Sequence, residues 1–122
     1  MMILLFHADD ECMRDLCRAA GAAPVRQFPA GAKEENTPLG MLAGERISIS
    51  GLRNARPPAA RDIKEPMAVL ADADQRTLDR LLANLTRLCR TDLLKAVLTG
   101  TNRYWNARQL YGELTQERDR LG

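Results

Sequence analysis

The feature that most constrains this chain is an internal echo. Ile3-Leu4-Leu5-Phe6-His7-Ala8-Asp9 lies over Ala68-Val69-Leu70-Ala71-Asp72-Ala73-Asp74 at a constant offset of 65 residues. The offset still holds further on, matching Met13 with Leu78, Leu16 with Leu81 and Cys17 with Leu82. Each copy opens on a short, continuous apolar run, the pattern of a strand buried on both faces. Each continues into apolar residues at i, i+3, i+4 and i+7, one face of a helix. A strand, a loop and a capped helix follow in both, with Thr37-Pro38 matching Asn106-Ala107. The chain therefore reads as one domain of two β-α-β-α halves, residues 1–50 and 66–122, joined by a loop at 51–65.

The expected strands are Ile3–Phe6, Pro24–Phe28, Met67–Ala71 and Ala96–Leu98. Ile47-Ser48-Ile49-Ser50 alternates with period two and predicts one more brief, half-exposed strand. A helix over about 10–20 has Asp9 as N-cap and Gly21 as its stop. A short one over 38–43 has Thr37 as N-cap and Pro38 in the first helical position, and Gly44 ends it. Leu78, Leu81, Leu82, Leu85, Leu88 and Cys89 form the stripe of a helix capped by Asp72 or Asp74. Asn106 opens the last helix, with Gln109 completing a capping box.

Strand–helix–strand units make parallel pairs with right-handed crossovers. The expected fold class is thus α/β: a small open, mainly parallel, doubly wound sheet of order 2-1-3-4 with helices on both faces. Ligands on such sheets bind beyond the carboxyl ends of the strands where the order reverses. That rule places a crevice between the strands at 3–6 and 67–71, fed by His7–Glu11, Asp72–Asp74 and Thr99–Trp105.

Composition narrows the function classes. At 122 residues the chain is the size of one domain, and with aromatics at 4% its core must be mostly aliphatic. A net charge of +2 gives no basic stripe of the kind that nucleic acid requires, so no nucleic-acid partner is expected. The longest apolar run, Met1–Phe6, is far short of the roughly 20 residues that span a bilayer. It lacks a basic flank and is followed by Asp9, Asp10 and Glu11, so it is no signal peptide, and a cytoplasmic location is expected. Cys12, Cys17 and Cys89 form no CxxC pair and His7 is the only histidine, so no metal is expected. Cys17 and Cys89 fall at apolar helix positions and read as small core residues. No glycine-rich phosphate loop occurs, and no cofactor is expected.

One stretch of the second half is distinctive: Ala96-Val97-Leu98-Thr99-Gly100-Thr101-Asn102-Arg103-Tyr104-Trp105, leading into Leu110-Tyr111-Gly112-Glu113-Leu114-Thr115-Gln116-Glu117. It closely resembles the signature of a bacterial family, domain of unknown function 3783, over about residues 66–117. Thr37 to Leu42 is similar to a segment of the less constrained N-terminal part of such proteins. Gly100 departs from the pattern, where the family favours proline. The resemblance implies an α/β fold and no particular chemistry.

Two sets of residues are candidates for function. The first is Thr99, Thr101, Asn102, Tyr104 and Trp105, a loop with polar groups to orient a ligand and two aromatic anchors. The same residues also suit a structural part, with Asn102 holding the turn and Trp105 closing the core. The second is the crevice acids Asp9, Asp10, Asp72 and Asp74, which suit a hard cation or a phospho-receiver-like site. Those aspartates are equally explained as helix caps, and the lysine of a receiver has no counterpart. His7 lacks a nucleophile to serve as base for, and no catalytic residues are assigned. Glu113 and Glu117 read as a solvated face or an acidic rim, and Arg53, Arg56 and Arg61 as loop surface or a contact for an acidic partner. The reading that follows is a small binding or regulatory module, monomer or homodimer, holding a protein or small ligand through residues 99–105. The alternative is a metal-dependent or phospho-receiver-like domain; a membrane partner is not expected.

Overall fold

The computed structural model describes residues 1–90 and 92–121. Among them lie four strands: β1 (Met2–Phe6), β2 (Val25–Phe28), β3 (Met67–Ala71) and β4 (Leu94–Val97). Five α-helices accompany them: α1 (Asp10–Ala20), α2 (Leu39–Leu42), α3 (Ile49–Asn54), α4 (Gln75–Arg87) and α5 (Ala107–Leu121). Short 3-10 turns at Lys33–Asn36 and Asn102–Tyr104 precede α2 and α5. Among the described residues no helix is long and apolar enough to cross a membrane.

The sheet is open and has the order 2-1-3-4, with β2 and β4 at its edges. Its directions correct the expected parallel arrangement. β1 is parallel to β2 and β3 to β4, but the central pair, β1 and β3, is antiparallel. The fold is α/β with a mixed sheet, not a doubly wound one. An apolar run buried on both faces reads alike whichever way its neighbours point, so direction came from the connection. Between β2 and β3 the chain passes through a 3-10 turn, α2, α3 and an extended strap at 55–65. It enters β3 at the end where β1 finishes, pairing Phe6 with Met67.

The antiparallel centre turns the sequence echo into an approximate two-fold axis. Leu4 is paired with its own counterpart, Val69. Asn84 Nδ2 donates to the carbonyl of its counterpart, Ala19, at 3.1 Å across 65 residues. Residues that touch their own counterparts lie on the axis, which therefore crosses the β1–β3 seam and passes between α1 and α4.

Alternating side chains feed two cores. Ile3, Leu5, Ala68 and Leu70 point to the face covered by α1 and α4, where Leu16, Leu81 and Leu85 meet them. Leu4, Phe6, Met67 and Val69 point to the other face, under α2, α5 and the strap, against Leu39, Leu110, Tyr111 and Ile63. Each aliphatic side chain so buried contributes about 1.5–3 kcal/mol. The caps follow the echo: Asp9 accepts from the Cys12 N–H at 2.8 Å and Asp74 from the Thr77 N–H at 2.7 Å. The residues two before them, His7 and Asp72, both adopt positive φ, 59° and 55°. Asn106 and Gln109 close the predicted capping box, each side chain accepting the other's N–H at 2.9 Å.

Four local expectations are corrected. Ile47–Ser50 forms no strand; Ser48 Oγ accepts the Gly51 N–H at 3.0 Å and starts α3 instead. A two-step alternation is too short to hold an extended segment that has no strand to pair with, whereas serine is a strong N-cap. Pro38, not Thr37, occupies the cap position of α2, and the Leu39 N–H donates to the Trp105 carbonyl at 2.8 Å. The last strand begins at Leu94 rather than Ala96, and ends at Val97. Cys17 and Cys89 are exposed, while Cys12 is buried. α1 turns Cys12, Leu16 and Ala19 inward, rotating the stripe away from Cys17, and α4 ends at Arg87, before Cys89. Burial pushes the Cys12 thiol up, although the Arg90 charge opposes the shift.

The strap is held along α5. The Arg61 N–H donates to the Arg108 carbonyl at 3.1 Å, and Arg61 Nη1 to Thr115 Oγ1 at 3.0 Å. Asp62 pairs with Arg108, and Glu65 takes both terminal nitrogens of Arg118, at 2.7 and 3.0 Å. Gly112 makes the crossing possible, because a methyl group there would overlap the Ala59 carbonyl.

Candidate functional site

The Thr99–Trp105 segment is a turn locked by its own side chains. Asn102, buried, accepts the Thr99 N–H on Oδ1 at 2.7 Å and donates from Nδ2 to the Val97 carbonyl at 2.9 Å. Thr99 Oγ1 accepts the N–H groups of Asn102 and Thr101 at 3.0 and 3.3 Å. Asn102 and Thr99 are thus the frame of the loop, as the structural reading of Asn102 anticipates. Arg103 donates to the Thr99 carbonyl at 3.1 Å and lies 3.3 Å from Glu45 Oε1. Trp105 is half-buried and packs on the α2–α5 core.

The frame presents Thr101, Tyr104 and Trp105 to α3. Together with Gly51, Asn54, Ala55 and Arg56 they line a cleft of about 360 Å³. Gly51 permits this approach, since a methyl group there would overlap the Tyr104 ring. The volume is at the small end of ligand pockets, which run to roughly 300–1,000 Å³. It suits one bulky side chain or a small ring. The surface beside it is apolar. α3 buries none of its residues, and leaves Ile49 69% and Leu52 39% exposed; Met41 of α2 is 51% exposed. These are three of the five large apolar side chains exposed among the described residues. The expected loop residues Thr101, Tyr104 and Trp105 are therefore brought together, but the rest of the cleft comes from the 51–65 segment, expected as a joining loop. The legible signal was Ser48 three residues before Gly51, an N-cap spacing.

The acidic crevice is not assembled. Because β1 and β3 are antiparallel, the chain leaves them at opposite ends of the sheet, Phe6 lying beside Met67 and Ala71 beside Met2. Asp9 and Asp10 therefore stand at one end, Asp72 and Asp74 at the other. Asp9 and Asp74 serve as caps, and Asp10 and Asp72 are exposed. The backbone N–H of Thr77 holds the Asp74 carboxyl below the usual carboxylate range. Among the described residues no three His, Cys, Asp or Glu side chains gather as a metal site.

The two-fold relation reveals a twin of the aromatic cleft. One spacing separates Val25 from Leu94 and Lys33 from Asn102, the first residues of the second strand and the 3-10 turn in each half. At that spacing Ala32, Glu35 and Asn36 correspond to Thr101, Tyr104 and Trp105. Ala32, Glu35 and Asn36 also line a cleft, about 250 Å³, with His7, Asp62 and Arg108. Its charges are largely engaged: Glu35 Oε2 accepts the Gly31 N–H at 2.8 Å, and Asp62 pairs with Arg108. A further recess at the foot of α4 is spanned by Arg90, whose guanidinium binds Asp15 at 2.8 Å and Asp92 at 3.1 Å.

The aromatic turn also lies within a segment that a sequence-family model matches. The model of a domain of unknown function, DUF3783, matches residues 66–121. That segment is similar to the DUF3783 family. The DUF3783 segment comprises β3, α4, β4, the locked turn and nearly all of α5, and so includes Thr101, Tyr104 and Trp105. α3, the other wall of the cleft, lies before it. No curated protein and no solved structure matches the chain.

Proposed function

We propose that this chain is a binding module that holds another protein through the cleft between α3 and the Thr99–Trp105 turn. One observation carries the reading: two half-exposed aromatic rings, Tyr104 and Trp105, stand on a turn whose frame residue, Asn102, is fully engaged and buried. Aromatic anchors on a rigid support lose little freedom on binding and so convert contact area into affinity. The apolar margin of Met41, Ile49 and Leu52 extends the contact beyond the cleft. Nothing in the cleft supplies a nucleophile and base pair, so the chemistry it supports is recognition.

Trp105 is the only tryptophan, and its emission reports on the cleft directly. Peptides selected from a random displayed library against the folded protein are expected to shift that emission. They should lose at least about tenfold in affinity to Tyr104→Ala, with circular dichroism unchanged. Selected peptides that bind wild type and Tyr104→Ala equally, or leave the Trp105 emission unmoved, would refute the reading.

A further inference from the structure

Charge distribution around the cleft names the kind of partner, an inference that rests on the cleft being the binding site. Residues 46–61 contain four arginines, Arg46, Arg53, Arg56 and Arg61, and no aspartate or glutamate. The whole chain, by contrast, carries only +2 from eighteen basic and sixteen acidic residues. That segment, which forms α3 and the start of the strap, carries four positive charges and no negative one. Arg61 is drawn away by Asp119 at 3.5 Å and by Thr115. Arg46, Arg53 and Arg56 are exposed, and no ion pair holds them among the described residues.

Their placement ties the charge to the apolar surface. Ile49, Leu52 and Arg53 stand at i, i+3 and i+4 on α3 and so share one side of the helix. Arg56 lines the cleft itself, beside Tyr104 and Trp105. Four arginines on other elements are matched, Arg90 by Asp15 and Asp92, Arg103 by Glu45, Arg108 by Asp62 and Arg118 by Glu65, and the exposed Arg14 and Arg18 of α1 lie in a helix that also carries Asp10, Glu11 and Asp15. Arg53 and Arg56, unpaired, in a segment without a carboxylate and beside an apolar cleft, present a surface complementary to acid.

We infer that the partner is an acidic peptide segment carrying a bulky apolar or aromatic side chain. The apolar side chain enters the cleft between α3 and Tyr104–Trp105, and flanking carboxylates meet Arg53 and Arg56. A concave site of about 360 Å³ favours an inserted side chain over a flat anionic bilayer. It also lacks the long basic track that a nucleic-acid backbone needs. Arginine suits the role because its planar fork takes a carboxylate through two parallel hydrogen bonds.

The test uses the full chain and fluorescein-labelled twelve-residue peptides, read by anisotropy and by Trp105 emission. One peptide sets Phe and Leu among Glu and Asp. A second sets them among Ser and Gln, and a third keeps the acids but replaces Phe and Leu with Ser. Anionic vesicles of phosphatidylserine and phosphatidylcholine and a single-stranded oligonucleotide complete the set. The acidic apolar peptide is expected to bind at least about tenfold more tightly than either control and to weaken as salt rises. Arg53→Glu/Arg56→Glu, both exposed and safe for folding, should remove that preference, whereas Arg14→Glu/Arg18→Glu on α1 should not. Equal binding of the neutral apolar peptide, still lost in Tyr104→Ala, would overturn the acidic partner and leave the cleft standing. Preferential binding of vesicles or oligonucleotide would overturn it in favour of those surfaces. No Trp105 response to any peptide would overturn both the partner and the cleft.

Discussion

The two 3-10 turns, Lys33–Asn36 and Asn102–Tyr104, occupy equivalent places in the two halves and line clefts of different character. Each is closed by one buried side chain that folds back to take a backbone N–H, Glu35 on Gly31 and Asn102 on Thr99. Each lines a cleft with the same three positions. In the first half these are Ala32, Glu35 and Asn36, beside His7 and the Asp62–Arg108 pair; in the second they are Thr101, Tyr104 and Trp105, beside a helix that buries nothing. What the halves share is architecture: Asp9 and Asp74 as caps, Leu16 and Leu81 as core, His7 and Asp72 at positive φ. The positive φ at His7 needs no functional explanation, because Asp72 repeats it. What they do not share is where a partner is to be sought.

The largest test of the shared part is in the core. Leu16→Ala and Leu81→Ala remove counterpart side chains that are 0% and 2% exposed, in one packed layer. Each should cost about 2–5 kcal/mol in urea unfolding, with the two values close together. A cost below about 1 kcal/mol for one alone would break the equivalence of the halves.

Gly112→Ala tests the part that is not shared, since the strap crosses only α5 at this position. The added methyl meets a backbone carbonyl rather than a flexible side chain. Destabilisation of about 1–3 kcal/mol is expected, together with faster hydrogen exchange at the Arg61 amide. Unchanged protection at Arg61 would mean that the strap is not held by this crossing.

The caps give the smallest effect. Asp9→Ala should cost about 1 kcal/mol. Asp74 offers a pH test. Its folded carboxyl titrates below its ordinary range, so its stabilisation is complete above the unfolded value and is lost as pH falls through the folded one. NMR titration of the Thr77 amide should follow that low-pH step, and Asp74→Asn should abolish it. A Thr77 amide that titrates in the ordinary aspartate range would contradict the cap's effect on the carboxyl.

These comparisons show what could be read in the chain and what could not. Both central strands, the Asp9 and Asn106 caps and the aromatic turn were legible because each depends on local periodicity or on residues three apart, and the order 2-1-3-4 followed from pairing the two strands within each half. The direction of β3 was not, since Met67–Ala71 is apolar at every position and carries no mark of its neighbours' sense. The crevice acids failed with it: a rule for parallel sheets placed Asp9 and Asp72 together, and the antiparallel seam separates them. α3 was hidden because Ile47–Ser50 satisfies a strand pattern and a serine cap at once, and only tertiary contact with Tyr104 decides between them.

The central claim is that the second turn, not its twin, is the place of recognition. A ¹H–¹⁵N NMR titration with the acidic apolar peptide tests it most directly. Shifts confined to Gly51, Asn54, Tyr104 and the Trp105 indole, with Gly31, Glu35 and Asn36 unmoved, are the predicted result. Shifts centred on the His7–Glu35 cleft instead, or none in either, would contradict it.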